Sequence, residues 1–71
     1  MDRQLTLRHL DQVEQHVIAG ARNLVRQREA VATLRQDGHD LARALALLAE
    51  FEHIHARHTA ELARLRRQLA Q

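Results

Sequence analysis

The chain predicts an all-α fold: an antiparallel, coiled-coil-like two-helix hairpin that dimerises into a four-helix bundle. Three observations carry this expectation. Apolar residues recur at heptad spacing in both halves, the tetrad Asp37-Gly38-His39-Asp40 interrupts that pattern once, and the composition suits long helices. In the first half, Leu10, Val17, Leu24 and Val31 repeat every seven residues, interleaved with Thr6, Val13, Gly20, Gln27 and Leu34. In the second half, Leu41, Leu48, His55, Leu62 and Leu69 repeat in the same way, interleaved with Ala44, Phe51, His58 and Leu65. The 71 residues include no proline and only two glycines, so little breaks a helix, and the single aromatic leaves no strand signal.

The first helix is expected over about residues 5–36, with Asp2 or Thr6 available as its N-cap. The tetrad at 37–40 is the turn. Gly38 suits the left-handed residue that closes a helix, because it has no Cβ to clash, and His39 is an ordinary polar turn residue. Asp40 is a suitable N-cap for the second helix, expected over about residues 41–70. Arg64, Arg66 and Arg67 near its end complement the negative pole of the helix dipole. The chain of 71 residues reads as one helical-hairpin domain.

A turn this short makes the helices antiparallel, and the seam sets their register. With Leu34 opposite Leu41, facing residue numbers sum to 75 down the whole hairpin. Leu24 then meets Phe51, Gly20 meets His55, Val17 meets His58 and Val13 meets Leu62, each pairing one seam position with the other, as antiparallel packing requires. A single seam buries too little to offset the entropy of ordering the chain. More apolar surface lies outside it: Ile18 and Val25 with Leu7 and Ala21 nearby, Leu45, Leu47 and Ile54, and alanines at 42, 49, 56, 63 and 70. These stripes predict self-association into a four-helix bundle, with Leu10, Val17, Ile18, Leu24, Val25, Val31, Leu48, Phe51, Ile54, Leu62 and Leu65 carrying assembly.

The histidines are the best chemical lead. His55 and His58 occupy seam positions three apart, so they share a helix face, and the expected register sets Gly20 opposite His55 with His16 about one turn away. One reading is structural: buried polar residues that specify register through hydrogen bonds. A second is a transition-metal site of His55, His58 and His16 with Glu52 or Glu61, zinc being the natural candidate for imidazoles on neighbouring helices. The run Glu52-x-x-His55 resembles the Glu-x-x-His element of ferritin-like di-iron bundles, but the first helix offers no glutamate at that level. A third is a pH switch, because burial disfavours the charged imidazole.

Other chemistries find little footing. The chain has no Cys and no Ser, only Thr6, Thr33 and Thr59 as hydroxyl residues, and no phosphate-binding glycine loop or HExxH motif, so no enzyme activity is expected. All eleven basic residues are Arg, but nine acidic residues hold the net charge at +2. Arg22, Arg26, Arg28 and Arg35 on the first helix, and Arg57, Arg64 and Arg67 with Arg66 beside them on the second, offer weak phosphate binding as a minor alternative. With acidic residues interspersed and no aromatic platform for bases, nucleic acid is not the expected partner. No apolar stretch approaches a membrane span or a signal region, so a cytoplasmic protein is expected.

The segment from Arg26-Gln27-Arg28-Glu29 to Leu34, the Asp37-Gly38-His39-Asp40 tetrad, and Leu47-Leu48-Ala49-Glu50-Phe51 resemble a group of short bacterial helical-hairpin proteins of unknown function. That resemblance implies the hairpin architecture and carries no activity. The residues therefore point to a non-enzymatic interaction or scaffold module that binds itself, and in a secondary role another helical protein. No cofactor is required, and a metal-binding bundle is the leading alternative.

Overall fold

A computed structural model describes residues 2–37 and 40–71. It contains two helices, α1 (Arg3–Asp37) and α2 (Leu41–Ala70), and no strand among the described residues. The expected roles of Gly38 and His39 in the turn lie outside the described residues. Contacts between the helices run in opposite numerical order, from His9 with Glu61 to Arg28 with Glu52, so α1 and α2 are antiparallel. The molecule is a rod of 53 × 14 × 14 Å. The 35 residues of α1 would span about 52 Å at 1.5 Å per residue, so that helix runs the full length.

α1 begins at Arg3, two residues before the expected start, because Asp2 supplies the cap. The Gln4 and Leu5 amides donate to Asp2 Oδ1 at 2.9 and 3.4 Å, satisfying two of the helix's orphan N–H groups. Thr6, the other candidate cap, is instead an interior helical residue, buried at the seam, whose hydroxyl donates to the Asp2 carbonyl at 3.1 Å. Asp40 occupies the N-cap position of α2 with an extended backbone and makes no side-chain capping bond.

The core is the heptad seam. Val13, Leu24, Val31, Leu62 and Leu65 are buried, with Leu10 and Val17 packed against the cluster of Val13, Leu62 and Leu65. Leu34, Leu41, Ala44, Leu48, Phe51, His55, His58 and Leu69 are half-buried along the same line. Gly20 lies against His55, which places the helices in the expected register. Among the described residues no side chain is fully buried. A two-helix rod leaves the outer half of each helix wet, so even Leu65, at 3 % exposure, sits in a core one layer deep.

Leu65 is thus the keystone of the one buried apolar cluster among the described residues. Truncating Leu65→Ala is expected to cost about 2–5 kcal/mol, whereas Leu5→Ala, at a position 59 % exposed, changes stability by less than about 0.5 kcal/mol. Urea unfolding followed by circular dichroism measures both.

Candidate functional site

The heptad frame gives the hairpin two flanks. On one, the e-type positions of both helices meet and are joined by ion pairs: Arg28 to Glu52 at 3.5 Å and Arg66 to Glu14 at 3.6 Å. Between these pairs lies a stretch of the flank without charge, with Ile18, Ala21 and Val25 on α1 and Ala56 and Thr59 on α2, and Ala49 follows just beyond Glu52; all are exposed. Ile18 is 46 % and Val25 53 % exposed. By the register of the seam, Ile18 lies level with Ala56 and Val25 with Ala49, so each bulky residue of α1 has a small one beside it on α2.

The opposite flank carries the histidines. Here α1 and α2 enclose an open groove of about 380 Å³ whose walls include His16, Gly20, Phe51, Ile54, His55 and His58. The His16 and His58 rings face one another across the helix boundary, with centroids 5.1 Å apart and planes tilted by 34°. His55 turns the Nδ1 edge of its ring toward Gly20, and a Cβ built on that glycine would come within 2.7 Å of Nδ1. Only glycine lets the ring approach the backbone this closely. His55 Nδ1 is buried and has no hydrogen-bond partner among the described residues.

Of the residues expected as metal ligands, His16, His55 and His58 do share this groove, but the two glutamates are engaged elsewhere. Glu52 is on the ion-paired flank with Arg28. Glu61 accepts hydrogen bonds from Arg64, the Nε contact being 3.1 Å, and lies 3.1 Å from His9 Nε2. Among the described residues, no group of three or more His, Asp or Glu side chains is placed to hold a metal ion. Sequence reasoning set His16 near the seam histidines but missed Asn23 and Arg26, which also line the groove. The signal for Asn23 was available: His9, His16 and Asn23 follow one another at heptad spacing along the edge of the seam.

The eleven residues expected to carry assembly divide in two. Leu24, Val31, Leu62 and Leu65 are buried and Leu10, Val17, Leu48 and Phe51 half-buried, all within the intramolecular seam. Ile18, Val25 and Ile54 remain exposed, the first two on the ion-paired flank and Ile54 in the histidine groove. Each threonine hydroxyl donates to the carbonyl four residues earlier: Thr6 to Asp2, Thr33 to Glu29 and Thr59 to His55. No protein-family model, curated protein or solved structure matches the chain. No described helix is long and apolar enough to cross a membrane.

Two predictions follow from this geometry. Gly20→Ala gains about 1 kcal/mol of helix propensity, but overpacking against the His55 ring costs about 1–3 kcal/mol, so the variant is expected to be less stable than the parent. With His55→Ala in place the same change should stabilise by about 1 kcal/mol, and a double-mutant cycle by urea unfolding reads the sign reversal. The second concerns Glu61, whose carboxyl is held below the usual carboxylate range by hydrogen bonds from Arg64 first and His9 second. A carboxylate with a lowered folded-state pKa adds stability above its unfolded value, lost as pH falls through the folded value. Glu61→Gln should therefore lower the melting temperature at neutral pH, and the difference should shrink as pH drops below about 4.

Proposed function

We propose that this hairpin is a non-enzymatic helical interaction module, set in the cytoplasm, whose first partner is a second copy of itself. The observation that carries this reading is the charge-free stretch of Ile18, Ala21, Val25, Ala56 and Thr59, closed at one end by Glu14–Arg66 and at the other by Arg28–Glu52, with Ala49 just beyond Glu52. An apolar centre with a charged rim is the anatomy of a protein–protein contact. The thin core supports it further, since seven large aliphatic side chains remain exposed outside the seam.

The arrangement suits a two-fold pair. In an isologous contact, Ile18 and Val25 of one copy pack onto Ala56 and Ala49 of the other, and the reverse contact forms at the same time. Small residues on α2 admit the bulky ones of α1 and let the helices approach closely. The result is a four-helix bundle in which α1 of each copy touches α2 of both. The engaged threonine hydroxyls, and the ion pairs that occupy Arg28, Arg64 and Arg66, favour this role over catalysis or phosphate binding.

Sedimentation equilibrium at tens of micromolar should return twice the 8.2 kDa mass of one chain, and the melting temperature should rise with protein concentration. Ile18→Glu combined with Val25→Glu should abolish the dimer, whereas Ile54→Glu on the opposite flank should leave it intact. A parent protein that is monomeric and folded at that concentration would direct the face to a different helical protein and refute self-association.

A further inference from the structure

We infer that His16 and His58 form a two-imidazole chelate for a divalent transition-metal ion of the zinc type, clamping α1 to α2 on the flank opposite the self-association face. The inference does not rest on dimerisation, because both donors belong to one chain and neither lies on that face. It starts from the 5.1 Å between the two ring centroids. Zinc binds imidazole nitrogen at about 2.0–2.1 Å in tetrahedral geometry, which places the centroids of two imidazoles sharing one ion about 5 Å apart. The rings already stand at chelating separation. Which ring nitrogens turn toward a shared ion is governed by the terminal ring torsion, a broad and soft coordinate in histidine.

The surroundings suit an ion with open positions. His16 is exposed and His58 half-buried, so a metal can enter from solvent. The groove wall beside them is largely apolar, with Ala19, Phe51 and Ile54, while Asn23 and Arg26 supply polar groups at its other side. Two protein ligands leave two tetrahedral positions for water or a small anion, and Arg26 is the natural counter-charge for an anionic ligand held there. Glu61 and Glu52 take no part, being held by Arg64 with His9 and by Arg28. His55, one turn before His58, is pressed against Gly20 with its Nδ1 buried, so it shapes the groove without donating in this arrangement.

Imidazole donors on two antiparallel helices have a structural consequence. The chelate crosses the seam beside the layer that sets Gly20 opposite His55. An ion bound to both helices stabilises the folded hairpin by mass action, because the unfolded chain does not hold the pair together.

The test is zinc chloride titration into untagged, chelator-stripped protein by isothermal calorimetry, with sedimentation run on the same samples. One ion per chain, a higher melting temperature reversed by a chelator, and the intense visible bands of four-coordinate cobalt(II) on substitution are the expected results. His16→Ala combined with His58→Ala should weaken zinc binding at least tenfold, and His16→Gln, a conservative change at an exposed position, should do so without unfolding the chain. His53→Ala, outside the groove, should bind as the parent does. Absent saturable binding, or binding undiminished in the double variant, would overturn the site. One ion per two chains would also overturn it, assigning the metal to a site closed by a second copy. A dimer that forms without zinc, or zinc binding by a monomer, separates this inference from self-association.

Discussion

The constraint on which this molecule depends is that two helices share only one interface. Every large side chain must either enter that seam or stay at least partly in water. The seam is already compromised, with Thr6, Gly20, Gln27, His55 and His58 at positions where a coiled coil gains most from aliphatic residues. The consequence is a core of five buried aliphatic residues, none of them fully enclosed. Leu10, Val13, Val17, Leu62 and Leu65 concentrate the packing toward the open end of the hairpin, away from the turn.

This division of the seam explains why the fold was legible and the site only partly so. Heptad spacing reports directly which side chains face the partner helix, and a turn confined to four residues leaves a single register, so the Gly20–His55 contact could be named before any coordinates. The first helix started earlier than expected because a free carboxylate at Asp2 and a hydroxyl at Thr6 are both competent caps, and local pattern does not rank them. Packing does: Thr6 belongs to the seam, and once its side chain is buried there the chain must already be helical. Glu52 and Glu61 were harder still. Long acidic side chains choose among several neighbours within reach: Glu52 pairs with Arg28, and Glu61 with Arg64 and with His9, away from the seam histidines.

The two flanks differ in chemistry because the heptad separates them. Residues flanking one edge of the seam carry opposite charges at matching levels, which joins the helices by Arg28–Glu52 and Glu14–Arg66 and leaves a neutral gap between the pairs. Residues flanking the other edge are mostly uncharged, and where Gly20 removes a side chain the surface sinks into a groove. One flank is therefore apolar at its centre and rimmed by charge. The other is concave and lined by imidazoles, suited to a small ligand. A single repeat distance thus yields two chemically distinct surfaces.

The glycine–histidine layer reinforces the alignment that the short turn imposes on so thin a seam. If the helices slid by one heptad, His55 would meet Val13 or Gln27 in place of Gly20. Either residue projects a side chain into the space that the ring occupies, while Gly20 would face an aliphatic residue and leave a void. Aliphatic layers such as Val13 with Leu62 discriminate poorly between such alignments, because one branched side chain packs against another almost as well as the next. The layer carries a cost, since His55 Nδ1 is buried without a partner and Gly20 is a poor helix former. Stability is given up at one level so that every other level of the hairpin meets its intended neighbour, as polar seam residues do in longer coiled coils.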